Sequence, residues 1–169
     1  MGSAAVRILI LDVDGVLTDG RVMLGPDGDD VKSFHVRDGC AIKLWQRCGG
    51  VVALLSGRKS LTVEKRGEEL GISLVMTGVK DKLAGYARVL AESGLGDEAV
   101  AYLGDDLPDL GPMSRCEFPV ATADAVSKIK RVAAYVTRNP GGHGAVAETV
   151  ELLLREAGRY PREEMLESP

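Results

Sequence analysis

The chain has 169 residues, 45% of them apolar, which suits one globular domain with a sizeable core. Aromatic residues are only 4%, and 21 basic residues face 25 acidic ones for a formal charge of -4, so nothing supports a nucleic-acid-binding surface or a stacking platform for single strands. Cys40, Cys48 and Cys116 match no zinc-ribbon or redox-pair spacing and read as buried thiols in a reducing compartment. The first residues lack the long apolar segment of a secretory signal, and Val6–Leu11 is too short to cross a bilayer, so a cytoplasmic protein is expected.

In chain order, Val6–Leu11 is a continuous apolar run that suits a strand buried on both faces, and it stops at Asp12-Val13-Asp14. The segment "GRVMLGPDGDDVKSFHV" places two extended runs around Gly-Pro-Asp-Gly and predicts a β-hairpin. A helix follows, with Asp38 as a candidate N-cap and Ala41, Leu44, Trp45 and Cys48 on one face. Val51–Leu55 is the second buried strand and ends in Ser56-Gly57-Arg58. Leu74–Met76 is the third, and Gly71 before it is placed to end a helix. Lys82 lies near the start of the next helix, where Leu83, Ala87, Leu90 and Ala91 share a face and Gly94 marks the end. Ala99–Leu103 is the fourth strand and runs into Gly104-Asp105-Asp106, with Asp109 close behind. Phe118–Ala121 and Ala134–Val136 complete the strands, and Val146, Val150, Leu153 and Leu154 form the stripe of a last helix. This alternation predicts an α/β fold, a doubly wound Rossmann-like parallel sheet with an inserted hairpin. One domain is expected over residues 1–158, followed by a polar, disordered tail over 159–169.

Ligands of such sheets gather beyond the carboxyl ends of the strands. Asp12, Asp14, Asp105, Asp106 and Asp109 would crowd that edge, where like charges cost stability unless a cation neutralises them. Oxygen-only ligands select a hard cation, and Mg²⁺, which takes few protein ligands, is expected. Asp106 and Asp109 could also serve as helix caps, and Lys82 read alone is an ordinary solvated lysine.

"LDVDGVLT", followed in order by Ser56, Lys82 and "GDDLPD", resembles the motif series of the haloacid dehalogenase superfamily of phosphatases. The resemblance implies that Asp12 is the nucleophile that forms an aspartyl-phosphate, and that Asp14 moves protons to the leaving group and from water. It also implies Mg²⁺ at Asp12, the main-chain carbonyl of Asp14 and Asp105, with Ser56 and Lys82 on the phosphoryl oxygens. The stretches between these motifs leave no room for a cap domain, so subunit association through the hairpin is expected to close the site.

"DVDGVLTDG", "VRDG", "SGRK", "GDDLPD", "ADAV" and "YVTRNPGGHGAV" together are similar to the phosphatases of 3-deoxy-D-manno-octulosonate 8-phosphate. This implies a homotetramer with active sites at subunit boundaries and a sugar-acid phosphate as substrate, in lipopolysaccharide biosynthesis. Gly57, Arg58, Arg37 and Thr18 then become candidate substrate contacts, with Asp19 beside them. Arg58 favours the eight-carbon acid, because relatives acting on nine-carbon acids tend to carry Glu there. The chain departs from the family at "GGHGAVAE", where His143 and Ala147 replace two arginines. His143 is expected to sit in a mobile turn, and His35 to be structural. A nine-carbon acid 9-phosphate is the alternative substrate, and a phosphoacceptor switch or a regulatory module is the non-enzymatic alternative.

Overall fold

The computed structural model describes residues 5–26 and 30–161. In chain order the elements are β1 (Ile8–Leu11), β2 (Met23–Leu24), β3 (Asp30–Val31), α1 (Val36–Arg47), β4 (Val51–Leu55), α2 (Leu61–Glu69), β5 (Leu74–Met76) and α3 (Lys82–Ser93). They continue with β6 (Val100–Gly104), α4 (Leu110–Met113), β7 (Phe118–Ala121), α5 (Ser127–Val132), β8 (Tyr135–Val136) and α6 (Ala145–Glu156). Six strands form one sheet in the order β5-β4-β1-β6-β7-β8, and every neighbouring pair is parallel.

The apolar runs become strands because they are covered on both faces. All of Ile8, Leu9, Ile10 and Leu11 are inaccessible to solvent, and their alternation divides them between two cores. Leu9 and Leu11 face the layer that holds Ile42, Trp45, Val146, Val150 and Leu153. Ile8 and Ile10 face the layer that holds Tyr86, Val89, Met113 and Ile129. The expected alternation of strands and helices is therefore present, with a helical layer on each side of the sheet. The strand register aligns Leu11 with Leu54 and Leu103, so the segments that follow β1, β4 and β6 leave from one edge.

The hairpin forms as a separate sheet of β2 and β3, with Met23 opposite Val31 and Leu24 opposite Asp30. Asp27 and Gly28 of its expected turn lie outside the described residues. The hairpin base is held to α2, where the Thr62 hydroxyl donates to the Asp30 carbonyl at 2.9 Å. No cap domain intervenes among the described residues, since only the hairpin, α1 to α3 and their strands separate the motifs.

Four local expectations need correction. The buried face of α3 is Lys82, Gly85, Tyr86 and Val89, while Leu83 is 39% exposed, because the helix turns its lysine toward the sheet edge. Asp38 lies inside α1 and caps a different helix: it accepts hydrogen bonds from Gly144 N–H at 3.3 Å and Ala147 N–H at 2.8 Å at the start of α6. Burial raises its pKa, and those two amides pull the other way. Of the cysteines only Cys116 is buried, and Cys40 is exposed. Arg159 and Tyr160 are placed against the body, with the Arg159 guanidinium 5.3 Å from the Trp45 ring centre and Tyr160 packed on the core, while the rest of the expected tail lies outside the described residues.

Asp38→Ala removes the cap that joins α1 to α6, and a stability loss of about 1–2 kcal/mol is expected in urea unfolding. Asp38→Asn, which keeps an acceptor, should lose less than half of that.

Candidate active site

The chain crosses the sheet in one direction through β1, β4 and β5 and in the other through β6, β7 and β8. Such a switch point opens a crevice at the carboxyl edge between β1 and β6. Asp12 leaves β1 there, with its N–H bonded to the Leu103 carbonyl at 3.1 Å.

Asp81 caps α3 by accepting from Leu83 and Ala84 N–H at 3.0 and 3.1 Å, which leaves Lys82 as its first residue. Gly85 lets that helix lie close to the sheet, since a Cβ there would stand 2.6 Å from Leu55 Cδ1. Lys82 Nζ therefore reaches Asp12 Oδ1 and Asp109 Oδ1, each at 2.7 Å. The expected solvated alternative for Lys82 does not hold, because its side chain is only 5% exposed.

Asp109 is wholly buried and fully bonded. Its Oδ1 accepts from Lys82 and from the Tyr102 hydroxyl at 2.7 Å, and its Oδ2 accepts from Asp105 and Asp106 N–H at 3.1 and 3.2 Å. Asp106 itself is a cap, accepting from Leu107 N–H at 2.7 Å. Tyr102 was not legible as a site residue, because it reads as one more apolar position of a buried strand.

Asp12, Asp105 and Asp109 each bring a carboxylate oxygen within 4.8 Å of the others. Burial, with the Asp109 charge next, pushes the Asp12 pKa up to about 6 in spite of Lys82. Burial, with the charges of Asp12 and Asp109, pushes Asp105 up to about 8. Asp105 Oδ1 is also buried without a hydrogen-bond partner. An orphaned carboxylate oxygen beside a second acid, in an all-oxygen setting, fits a hard divalent cation. Asp12 and Asp105 are the side chains with capacity for it, since both oxygens of Asp109 are committed elsewhere. Gly15 is obligatory here: its φ is +91°, and a Cβ would stand 2.1 Å from Asp105 Oδ2.

Asp14 follows on the same loop, and its carboxylate is ion-paired to Lys32 from the hairpin. Ser56 is buried at the end of β4, where its hydroxyl accepts from Arg58 N–H and donates to the Arg58 carbonyl, both at 3.2 Å. Gly57 and Arg58 are exposed, and Arg58 lines a cavity of about 350 Å³ together with Leu24 and Asp30 of the hairpin. Two expected substrate contacts are placed differently. Thr18 is buried, and its hydroxyl donates to the Val13 carbonyl and accepts from Gly15 and Gly20 N–H, so it shapes the loop. Arg37 lines a separate cavity of about 700 Å³ with Arg138, His143 and Arg155, which none of the aspartates enters. Asp19 accepts from Arg21 N–H in the exposed part of the loop.

The "GGHG" turn is packed, contrary to expectation. Gly141 N–H donates to Asp124 at 3.0 Å, and Gly142 N–H donates to the Val16 carbonyl at 2.9 Å. A Cβ on Gly141 would stand 1.9 Å from the Gly15 carbonyl oxygen, so this turn backs directly onto the loop that carries Asp14.

No family model matches the chain. The 3-deoxy-D-manno-octulosonate 8-phosphate phosphatase KdsC of Escherichia coli K12 is 43% identical over 154 residues, which cover 91% of this chain and 82% of that protein. The chain belongs to the family of 3-deoxy-D-manno-octulosonate 8-phosphate phosphatases. The cobalt-bound phosphatase of this family from Haemophilus influenzae has a TM-score of 0.94 at 34% identity, covering 98% of this chain and 99% of that one. The Moraxella catarrhalis phosphatase, solved with a magnesium ion, a phosphate ion and a KDO molecule, has a TM-score of 0.90 at 33% identity, covering 94% and 91%. The family resemblance and the fold expected from the sequence are therefore borne out.

The raised pKa values of Asp12 and Asp105 mean that the folded chain holds protons more tightly than the unfolded one. Without divalent cations, thermal stability should accordingly fall as pH rises from about 4 to about 8. Mg²⁺ binds the ionised carboxylates, so melting curves should show its stabilising effect growing over the same range. An equal Mg²⁺ effect at both ends would contradict this assignment.

Proposed function

We propose that the chain is a Mg²⁺-dependent phosphomonoesterase that converts 3-deoxy-D-manno-octulosonate 8-phosphate to the free sugar acid and inorganic phosphate. The observation that carries the reading is the Asp12 carboxylate held by Lys82 beside the orphaned oxygen of Asp105, in a chain of this family.

Asp12 attacks phosphorus through a carboxylate oxygen, and the bond from phosphorus to the sugar oxygen breaks. Asp14 gives its proton to that leaving oxygen, then takes a proton from the water that hydrolyses the aspartyl-phosphate. Two acids are needed because one is consumed as nucleophile while the other moves the proton. Lys82 steadies Asp12 and faces the charge that builds on the phosphoryl oxygens, and Ser56 is the hydroxyl on the adjacent strand end. A Mg²⁺ held by Asp12, the Asp14 carbonyl and Asp105 would screen an anionic nucleophile from an anionic phosphate.

Arg58 and Gly57 are the candidate contacts for the sugar acid, and Arg58 is exposed beside the hairpin. The hairpin presents Met23, Leu24 and Val31 at 46%, 67% and 50% exposure, which supports a homotetramer assembled through it, with active sites at subunit boundaries. Arg37 would then meet substrate or a neighbour at that boundary. No helix among the described residues is long and apolar enough to cross a membrane, and a cytoplasmic enzyme with free thiols fits the composition.

Phosphate release should require Mg²⁺ and favour the eight-carbon acid over a nine-carbon acid 9-phosphate and common sugar phosphates. Asp12→Asn should lower it by a factor on the order of 10⁴ while the melting curve stays cooperative. Even turnover across the substrates would overturn the substrate assignment, and a long-lived phosphorylated chain would favour a switch. Leu24→Glu should lower the solution mass measured by light scattering below that of a tetramer.

A further inference from the structure

The hairpin carries a second buried lysine, apart from the one that the motif series supplies. The Lys32 side chain is 3% exposed, as little as that of Lys82. A lysine ordinarily keeps its ammonium in water, so burial this deep requires paired carboxylates. Lys32 has two: Asp14, and Asp30 with Oδ2 at 3.4 Å. Asp30 is anchored through its carbonyl to Thr62 on α2, and its Oδ2, which has no hydrogen-bond partner, forms the ion pair with Lys32. Among the described residues, Lys32 is the one side chain that bonds the Asp14 carboxylate.

We propose that Lys32 is a positioning residue for Asp14: the hairpin holds, through this ammonium, the carboxylate that moves the proton. The inference rests on the phosphatase reading above. Asp14 sits just before the left-handed Gly15, at the start of a loop whose own bonds run through Thr18 and the backbone and leave the Asp14 side chain unsupported. A general acid must be held within hydrogen-bond reach and at a narrow angle to the atom it protonates. Lys32 supplies that constraint from the inserted hairpin. The same element that offers an apolar surface to neighbouring subunits thereby sets the geometry of proton transfer.

The test uses two leaving groups in the full-length enzyme with Mg²⁺. The alkoxide of 3-deoxy-D-manno-octulosonate must be protonated as it leaves, whereas the 4-nitrophenolate of 4-nitrophenyl phosphate leaves without a proton. Single-turnover transfer to Asp12 isolates that step. Lys32→Met should slow transfer from the sugar phosphate about 100-fold, with KM within about twofold, and slow transfer from the aryl phosphate less than about threefold. Lys32→Arg should recover most of the loss, and adding Lys32→Met to Asp14→Asn should cost nothing further. Equal losses on both substrates, losses that add to Asp14→Asn, or a rise in KM alone would each overturn the proposal. Wild-type turnover with an unimpaired Lys32→Met overturns this inference only, while an inactive wild type overturns the phosphatase reading and this one with it.

Discussion

The ammonium of Lys82, lodged between Asp12 and Asp109, is the contact around which the site is built. Three buried or half-buried carboxylates cluster at the edge of the sheet, and the lysine bonds two of them. Burial lowers the pKa of Lys82, and the charges of Asp12 and Asp109 more than reverse that, so its own pKa is raised. Burial first, and the excess of negative charge after it, raises the pKa values of Asp12 and Asp105. A buried ion pair is seldom a net source of stability, because desolvating both partners offsets much of their attraction. Here the cost is met by the fold around it. Gly85 brings α3 to the sheet, Tyr102 gives Asp109 a further donor, and the amides of Asp105 and Asp106 complete it. The site accordingly contains an aspartate fixed in place by a lysine and a neighbouring acid with one buried oxygen that has no hydrogen-bond partner.

A second layer controls the loop from Asp12 to Gly20. Thr18 ties it from within, Gly141 and Gly142 back it from the turn before α6, and Lys32 holds Asp14 from the hairpin. These supports come from chain segments far apart, and each belongs to an element that also has a structural duty. Asp38 fastens the first turn of α6 to α1, and Glu148 on α6 accepts from Arg138 and Asn139 N–H, which secures the chain entering the glycine turn. The loop that carries Asp14 is thus backed by a turn tied to α1 and α6 as well as by the hairpin.

The strands and the acids at their ends could be read from the sequence because both signals are local. An apolar run that ends in Asp-x-Asp, or in Gly-Asp-Asp, states its burial and its chemistry within ten residues, and parallel pairing brings such ends to one edge. The residues that were missed or misplaced act over distance. Lys32 lies 18 positions from Asp14, and the Asp38 bonds to α6 span 106 and 109 positions. Asp38 offered a local alternative as a cap for its own helix, and the tertiary contact took precedence. The face of α3 was set by the demand to turn Lys82 inward, against an apolar pattern that pointed one residue further along. Thr18 carries the same hydroxyl whether it binds a ligand or its own loop, and only the folded loop distinguishes the two.

We propose that Asp12 and Asp105 are the side chains that share a divalent cation, while Asp109 stays bonded to Lys82. A crystal grown with Mn²⁺ and measured at a wavelength that reveals its anomalous signal tests this directly. The account predicts a Mn²⁺ peak against Asp12 and Asp105, with the Lys82–Asp109 pair intact. A peak bonded to Asp109 with Lys82 displaced, or no peak at this edge of the sheet, would contradict it.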